Sequence, residues 1–282
     1  MAGPPEFTGF SDVDRTGRAG VYADYLDQVR GLEAVAEWKE RSFVALAPRP
    51  GAVLLDVGCG TGEDARALAQ RVAPGGRAIG VEASEAMVAE ARRRAAEAGE
   101  RGVEFLRSDV RSLALPDGAV DGCRAERVLQ HVEDPAGAIA EMARVVRPGG
   151  SVVAAEPDWG TLVIDSREPE AAAEVAAAAG RRLRSGLVGR ALRRLFAEAG
   201  LAEVAVAGRT LVVTDRARAD MLIDLEGAVR RAVDDGRLSA RRAASWLEAL
   251  ASDESEGRLL VAMTAFMAVG RVSEAAPGGA PP

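Results

Sequence analysis

Residues 53–64 read VLLDVGCGTGED. An apolar run carries one acid, Asp56, and then glycines fall at every second position: Gly58, Gly60 and Gly62. The run at 53–57 has the composition of a strand buried on both faces, as in a parallel sheet. After the glycines, Ala65, Leu68, Ala69 and Val72 recur at helical spacing on one face. A strand that passes through a glycine loop into a helix marks a binding turn, because ligands of open α/β sheets lie beyond the carboxyl ends of the strands. Glycines there let a ligand approach the backbone without meeting Cβ atoms.

Working outward, the same unit repeats. RAIGV (77–81) reads as a second strand, and Ser84 as the N-cap of a helix that carries Met87 and runs to about Ala98. VEFL (103–106) and AVDGCRA (119–125) read as the third and fourth strands. Pro135 opens a helix through Ala138, Ile139, Met142 and Val146, and SVVAAE (151–156) is a fifth strand. Alternation at this spacing predicts an α/β, Rossmann-like fold: a mostly parallel sheet with helices on both faces.

The flanks differ. Residues 16–47 read as helical, with Val21, Tyr25, Leu26 and Val29 on one face. Helices are expected at about 170–184 and 189–199, a strand pair near 203–213, two helices near 217–251 and an antiparallel final strand near 259–272. This gives a helical N-terminal cap over 1–50, a core over 51–160 and a C-terminal part over 161–282. The last completes the sheet and inserts a helical lid at about 217–251. The first dozen residues and the tail SEAAPGGAPP are expected to be disordered.

Composition limits the function. The chain has 282 residues, 48% of them hydrophobic, enough for one large domain with a cap. No apolar run approaches the roughly 18 residues of a membrane span, and MAGPPEFTGF lacks the basic start and apolar stretch of a secretory signal. Cys59 and Cys123 are isolated thiols, which suits a reducing cytoplasm, and Cys59 reads as a buried filler. A net charge of −7 argues against nucleic acid as partner. The partner expected is a small molecule, with no membrane and no metal; a homodimer is compatible. Lys39 is the single lysine among many arginines, a bias read as compositional.

The glycine loop does not suit a dinucleotide. That fingerprint, G-x-G-x-x-G/A, needs a small residue where this chain has Glu63. Asp56, Glu63 and Asp64 also crowd a helix start that would have to receive a pyrophosphate. The acids favour a cationic ligand without phosphate, and S-adenosylmethionine fits. Glu82 ends the second strand, 82 − 60 = 22 residues beyond the middle glycine, where its carboxylate can accept from the ribose hydroxyls, with Ala83 beside it. Each such bond is worth roughly 1.5–3 kcal/mol. Asp109 is placed to accept from the adenine amino group, Val110 offers a backbone donor, and Met87 packs on the base.

Four stretches carry a family resemblance. LLDVGCGTGEDARALA, IGVEASEAMVAEAR, FLRSDVRSLALPDGAVD and MARVVRPGGSVVAAEPD occur in order and resemble the motifs of class I S-adenosylmethionine-dependent methyltransferases over about residues 50–160. The nearest group by resemblance is the small-molecule methyltransferases of bacterial quinone and secondary-metabolite pathways. The resemblance implies in-line methyl transfer, with the cofactor at Asp56, Gly58, Gly60, Gly62, Glu82, Ala83, Met87, Asp109, Val110 and Glu126. In such enzymes the flanks usually choose the substrate.

Two rim segments add chemistry. RAERVLQHVEDP (124–135) leaves the fourth strand and holds Arg127 and the lone histidine, His131, a candidate general base. EPDWG (156–160) leaves the fifth, where Glu156 and Asp158 are candidates to bind or deprotonate substrate and Trp159 to wall the pocket. Tyr22 and Tyr25 on the cap helix are placed to close over the site. Trp38 and Trp246 read as packing residues, and Arg92–Arg94, Arg181, Arg182 and Arg184 as solvated helix faces. The accepting atom (oxygen, nitrogen or carbon) stays open. So does a protein of this fold that binds S-adenosylmethionine and catalyses cyclisation or rearrangement without methylating.

Overall fold

A computed structural model describes residues 7–274. In chain order the elements are α1 (Val13–Thr16), α2 (Ala19–Arg30), α3 (Glu33–Ala45), β1 (Val53–Val57), α4 (Glu63–Val72), β2 (Arg77–Glu82), α5 (Glu85–Glu97), β3 (Val103–Arg107), β4 (Val120–Glu126), α6 (Pro135–Val145), β5 (Val146–Pro157) and β6 (Val163–Ile164). There follow α7 (Pro169–Arg181), α8 (Val188–Glu198), β7 (Leu201–Val213), α9 (Arg216–Ile223), α10 (Leu225–Asp234), α11 (Ala240–Ser255) and β8 (Val261–Val272). Short 3-10 turns lie at Phe7–Ser11, Leu129–His131 and Trp159–Thr161.

Eight strands form one sheet in the order β3-β2-β1-β4-β5-β8-β6, with β7 also on β8. The apolar run Val53–Val57 sits in the middle: Leu55 is in register with Ile79 on β2 and with Cys123 on β4, both parallel. Leu54, Leu55 and Val57 are almost wholly buried, which is why the run needs no alternation. β8 runs antiparallel to β5, with Ala154 opposite Ala268, and antiparallel to β7. The core helices start at the caps their sequences carry. Ser84 Oγ accepts from Met87 N at 3.1 Å, and Asp134 accepts from Gly137 N at 2.9 Å behind Pro135.

Several boundaries depart from expectation. The cap is two helices, because Leu32 after Gly31 is extended at φ −76, ψ 123. The expected strand pair is the single strand β7, whose ladder to β8 continues through Gly208 opposite Phe266. Three helices, not two, span 216–255, and β6 was not anticipated. Phe7–Ser11 is an ordered turn, so part of the expected loose start is structured; residues 1–6 and 275–282 lie outside the described residues. Arg182 does not lie on a solvated face. Its side chain is 2% exposed, pairs with Asp224 at 2.9 Å and lies 4.8 Å over the Trp159 ring. Trp38 and Trp246 are buried packing residues, as is Cys59.

The N-terminal helices and the C-terminal insertion share a core. Tyr25 and Val29 of α2 join Val175, Ala228, Trp246 and Leu250 in one apolar cluster. That cluster roofs the carboxyl ends of β4 and β5. Among the described residues no helix is long and apolar enough to cross a membrane.

Candidate active site

The carboxyl ends of β1–β4 converge on a cavity of about 290 Å³. Val57 and Gly58 come from β1, Glu82 and Ala83 from β2, Ser108 and Asp109 from β3, and Glu126 and Arg127 from β4. Its roof is Phe10, Ser11 and Val13 with Tyr25 and Leu26 of α2.

The glycines divide their tasks. Gly60 lies at φ +52, and a Cβ there would meet Leu26 Cδ1 at 2.8 Å, so the loop can pass beneath α2 only without a side chain. Gly62, at φ +83, lines none of the three cavities described here. A Cβ on it would come within 2.5 Å of the Phe105 ring and 2.9 Å of Ala91, so its role is to seat α4 close to β3 and α5. The third glycine of the motif thus serves packing where cofactor contact was expected.

Glu82 is fixed by backbone donors. Oε2 accepts from Gly60 N at 3.1 Å, and Oε1 from Ala83 N at 2.8 Å and Ser84 N at 3.1 Å. Burial raises its carboxyl pKa, opposed by those three N–H groups. Met87 and Val110 are buried in the same wall. Asp109 lies at the far rim, held by Arg111, whose guanidinium keeps the carboxyl below the usual range.

Under the loop lies a buried charge cluster that the sequence did not announce. Arg124, 1% exposed, donates to Asp56 at 2.8 Å, to Asp64 at 3.0 Å and to Glu126. Lys39 of α3 pairs with Asp64 and reaches Glu126 at 3.1 Å. The single lysine therefore has a definite place in this cluster. Burial pushes Asp56 up to about 7 despite Arg124. Burial also acts to raise Asp64, but the Lys39 and Arg124 charges prevail and hold it well below the carboxylate range. The cluster borders a recess of about 60 Å³ lined by Asp56, Gly58, Gly60 and Glu126, with Asp27, Glu63, Arg30 and Arg127 also in its wall, so acids and cations nearly balance there once Asp56 is partly protonated.

A third cavity, of about 110 Å³, lies beyond the ends of β4 and β5. Its walls are Val29, Val35 and Trp38 from the cap, Trp159 after β5, Leu211 of β7, Leu222 of α9 and Met263 of β8. Tyr25, Glu126, Arg127 and Gln130 belong to its wall and to that of the large cavity. Arg127 bonds to Tyr25 and adopts φ +56, unusual for a residue with a side chain. Gln130 accepts from Trp159 Nε1 at 2.8 Å.

The candidate catalytic residues flank this junction. Glu156 lines the small cavity, and Oε1 accepts from Val128 N at 2.8 Å and Leu129 N at 2.7 Å, with Oε2 at 3.4 Å from Gln130 N. Burial lifts its pKa to about 8, against the pull of those N–H groups. His131 lines the large cavity, 5.5 Å from the Phe10 ring, and its buried Nδ1 has no hydrogen-bond partner. Burial first, then the charges of Arg127 and Arg182, lower its pKa to about 3. Two expected substrate residues lie elsewhere. Tyr22 packs edge-on to Phe10 and lines none of the three cavities. Asp158 is fully buried, engaged by Arg190 Nε at 2.7 Å and Arg190 N at 2.8 Å.

Besides Arg124 and Lys39, the sequence reading missed Gln130, Phe10, Leu26 and, Trp159 excepted, the apolar wall of the small cavity. Gln130, beside His131, and Leu26, beside Tyr25, had neighbours that drew attention to them. No group of three or more His, Cys, Asp or Glu residues is placed to hold a metal ion among the described residues.

Fold and site together define a Rossmann-like protein that carries a nucleoside-type cofactor beyond the carboxyl ends of its parallel strands. The Methyltransferase domain family matches residues 55–154. A protein of Streptomyces fradiae transposon Tn4556 is 40% identical over 250 residues, 88% of this chain and 71% of that one. Nocamycin O-methyltransferase of Saccharothrix syringae is 35% identical over 55% of this chain and 58% of its own length. Demethylmenaquinone methyltransferase of Bacillus cytotoxicus is 30% identical over 50% and 59%. The chain thus spans little more than half of these two named relatives. Among solved structures, Bacillus subtilis YcgJ has a TM-score of 0.59 at 20% identity, covering 84% of this chain and 98% of its own. The [4+2]-cyclase SpnF has 0.57 at 22%, covering 97% and 100%. At such identities these two share the fold alone. The chain belongs to the class I S-adenosylmethionine-dependent methyltransferases.

Proposed function

We propose that this methyltransferase acts on a small molecule, with S-adenosylmethionine in the larger cavity and the acceptor in the smaller one. The observation that carries the reading is the shared wall: Tyr25, Glu126, Arg127 and Gln130 border both spaces, so occupants of the two face each other across one layer of side chains. When bound, the cofactor supplies a methyl group already activated by a sulfonium. Glu82 would hold the ribose, Asp109 and Val110 the adenine edge, and Met87 its face. The backbone of Gly58, Gly60 and Ala83 makes the floor. The Asp56 and Glu126 carboxyl groups that border the recess would receive the cationic end.

The protein's own work is then to align the acceptor, exclude water and take a proton. Alignment alone supplies on the order of 7–11 kcal/mol in favourable cases. Of the two candidate bases, Glu156 is the better matched, since a general base works best with a pKa near the operating pH. A carboxyl raised to about 8 meets that condition, and a histidine lowered to about 3 does not. His131 then acts as a neutral wall of the site. The two buried free thiols fit a reducing cytoplasm, and a net charge of −7 fits a small-molecule partner better than nucleic acid. The other reading, a protein of this fold that binds the cofactor and catalyses cyclisation or rearrangement, is less favoured than methyl transfer, since the matching family is a methyltransferase domain.

Glu156→Gln tests the assignment, because the carboxamide oxygen can still accept from Val128 and Leu129. Single-turnover transfer should fall by roughly 10²–10⁴-fold, with S-adenosylhomocysteine affinity nearly intact. In the wild type the rate should climb with pH as the carboxyl ionises and level off above about 8; the variant should lack this limb. Lost cofactor affinity with a lowered melting temperature would instead make Glu156 a clamp for the loop after β4.

A further inference from the structure

Resting on the placement of the acceptor in the smaller cavity, we infer that this acceptor is a neutral single-ring phenol or cyclic enol, methylated on oxygen. Size is the first argument. A cavity of about 110 Å³ is somewhat below the roughly 150 Å³ that accepts benzene in an engineered core, so one ring fills it once side chains relax. Chemistry of the wall is the second. Val29, Val35, Trp38, Leu211, Leu222 and Met263 offer an apolar lining, in which a charged ligand would lose its hydration without return.

Charge at the junction is the third argument. Of the acids that border the cavity, Glu126 is engaged by Arg124 and Lys39, while Glu156 accepts two bonds on Oε1 and a single long one on Oε2, which keeps a lone pair free for a proton. Arg209 is paired with Glu37. Arg127 is different. It borders both cavities, bonds to Tyr25 and has no carboxylate paired with it among the described residues. A cation left without an ion pair at the junction favours an oxygen that gains negative charge during reaction. A phenol or enol oxygen does so: its O–H bond breaks, the proton passes to the Glu156 carboxylate, and the oxygen lone pair forms the new bond to the methyl carbon. The carbon–sulfur pair stays on sulfur, which becomes a neutral thioether, and Glu156 later returns its proton to solvent. An amine would instead finish as a methylated cation beside Arg127. A carboxylate would have to enter the apolar lining already charged.

The test uses the full chain saturated with S-adenosylhomocysteine and titrates 4-methylphenol, 4-methylaniline and 4-methylbenzoate by calorimetry. We expect 4-methylphenol to bind at least tenfold more tightly than the other two. Leu222→Trp, which fills the cavity from α9, should weaken it at least tenfold and leave S-adenosylhomocysteine affinity unchanged. Val35→Phe fills it from the opposite wall and serves if Leu222→Trp is unstable. Equal or tighter binding of the amine or the benzoate overturns the inference, as does absence of phenol binding, or phenol affinity that both cavity-filling variants leave intact. Failure of S-adenosylhomocysteine itself to bind is a separate result, and it removes the cofactor reading.

Discussion

Burial acts on His131 and Glu156 in opposite directions, because each group resists the charged form and their charged forms are reached by opposite proton movements. For His131 the consequence is a stability that depends on acid. Its pKa falls from 6.5 to about 3 on folding, so the unfolded chain takes the proton first. The contribution is complete above pH 6.5 and is lost as pH falls toward 3, with a slope of up to about 1.4 kcal/mol per pH unit. Urea unfolding at pH 7, 6, 5 and 4 should show His131→Asn losing less stability on acidification than the wild type; parallel curves would contradict this. Glu156 has the reverse sign, its contribution being lost as pH rises from 4.5 through about 8. The sequence located both residues by their position at the carboxyl ends of β4 and β5. It could not rank them as bases, because the ranking depends on burial and on Phe10 and Arg182, which reach His131 from other parts of the chain.

At the scale of elements, the N-terminal strap is tied down at two points. Asp14 of α1 caps α5 from outside, accepting from Ser84 Oγ at 2.6 Å, Glu85 N at 2.9 Å and Ala86 N at 3.2 Å. An acid at a helix N-terminus is favoured there, and the bond from Ser84 holds its carboxyl below the usual value. Ser11 Oγ donates to the His131 carbonyl at 3.3 Å on the other side of the cavity. The strap therefore spans the large cavity from the Glu82 rim to the His131 rim. We predict that S-adenosylhomocysteine slows amide hydrogen exchange over residues 8–30 in the wild type. Asp14→Asn should speed exchange there before ligand is added and weaken binding several-fold. Equal exchange with and without ligand would make the strap an ordinary packed segment. The helical character of this segment was legible from the spacing of Tyr25, Leu26 and Val29, but its latch was not: Asp14 meets α5 some seventy residues later, and no local pattern records such a contact.

For the whole molecule, legibility follows the range of the contacts. The stretch from β1 to β5 could be read because each strand end lines the large cavity with its own next residues: Gly58 after β1, Ala83 after β2, Asp109 after β3, Arg127 after β4. Apart from Trp159, the wall of the small cavity could not be read, since Trp38, Leu211, Leu222 and Met263 come from four elements far apart in the chain, two helices and the paired strands β7 and β8. The buried Arg124 and Lys39 cluster escaped for the same reason, and because a charged residue within a parallel strand contradicts the apolar rule by which the strand was recognised. The central claim is that Glu82, held by Gly60, Ala83 and Ser84, fixes the ribose of S-adenosylmethionine in the large cavity. Calorimetric titration of S-adenosylmethionine and S-adenosylhomocysteine into wild type and Glu82→Ala tests it most directly. Both ligands carry the same ribose, so the account predicts binding by the wild type and an equal loss for both in the variant, roughly ten- to several-hundred-fold for one or two hydrogen bonds to a charged group. A folded Glu82→Ala that binds both as well as the wild type, or a wild type that binds neither, would contradict it.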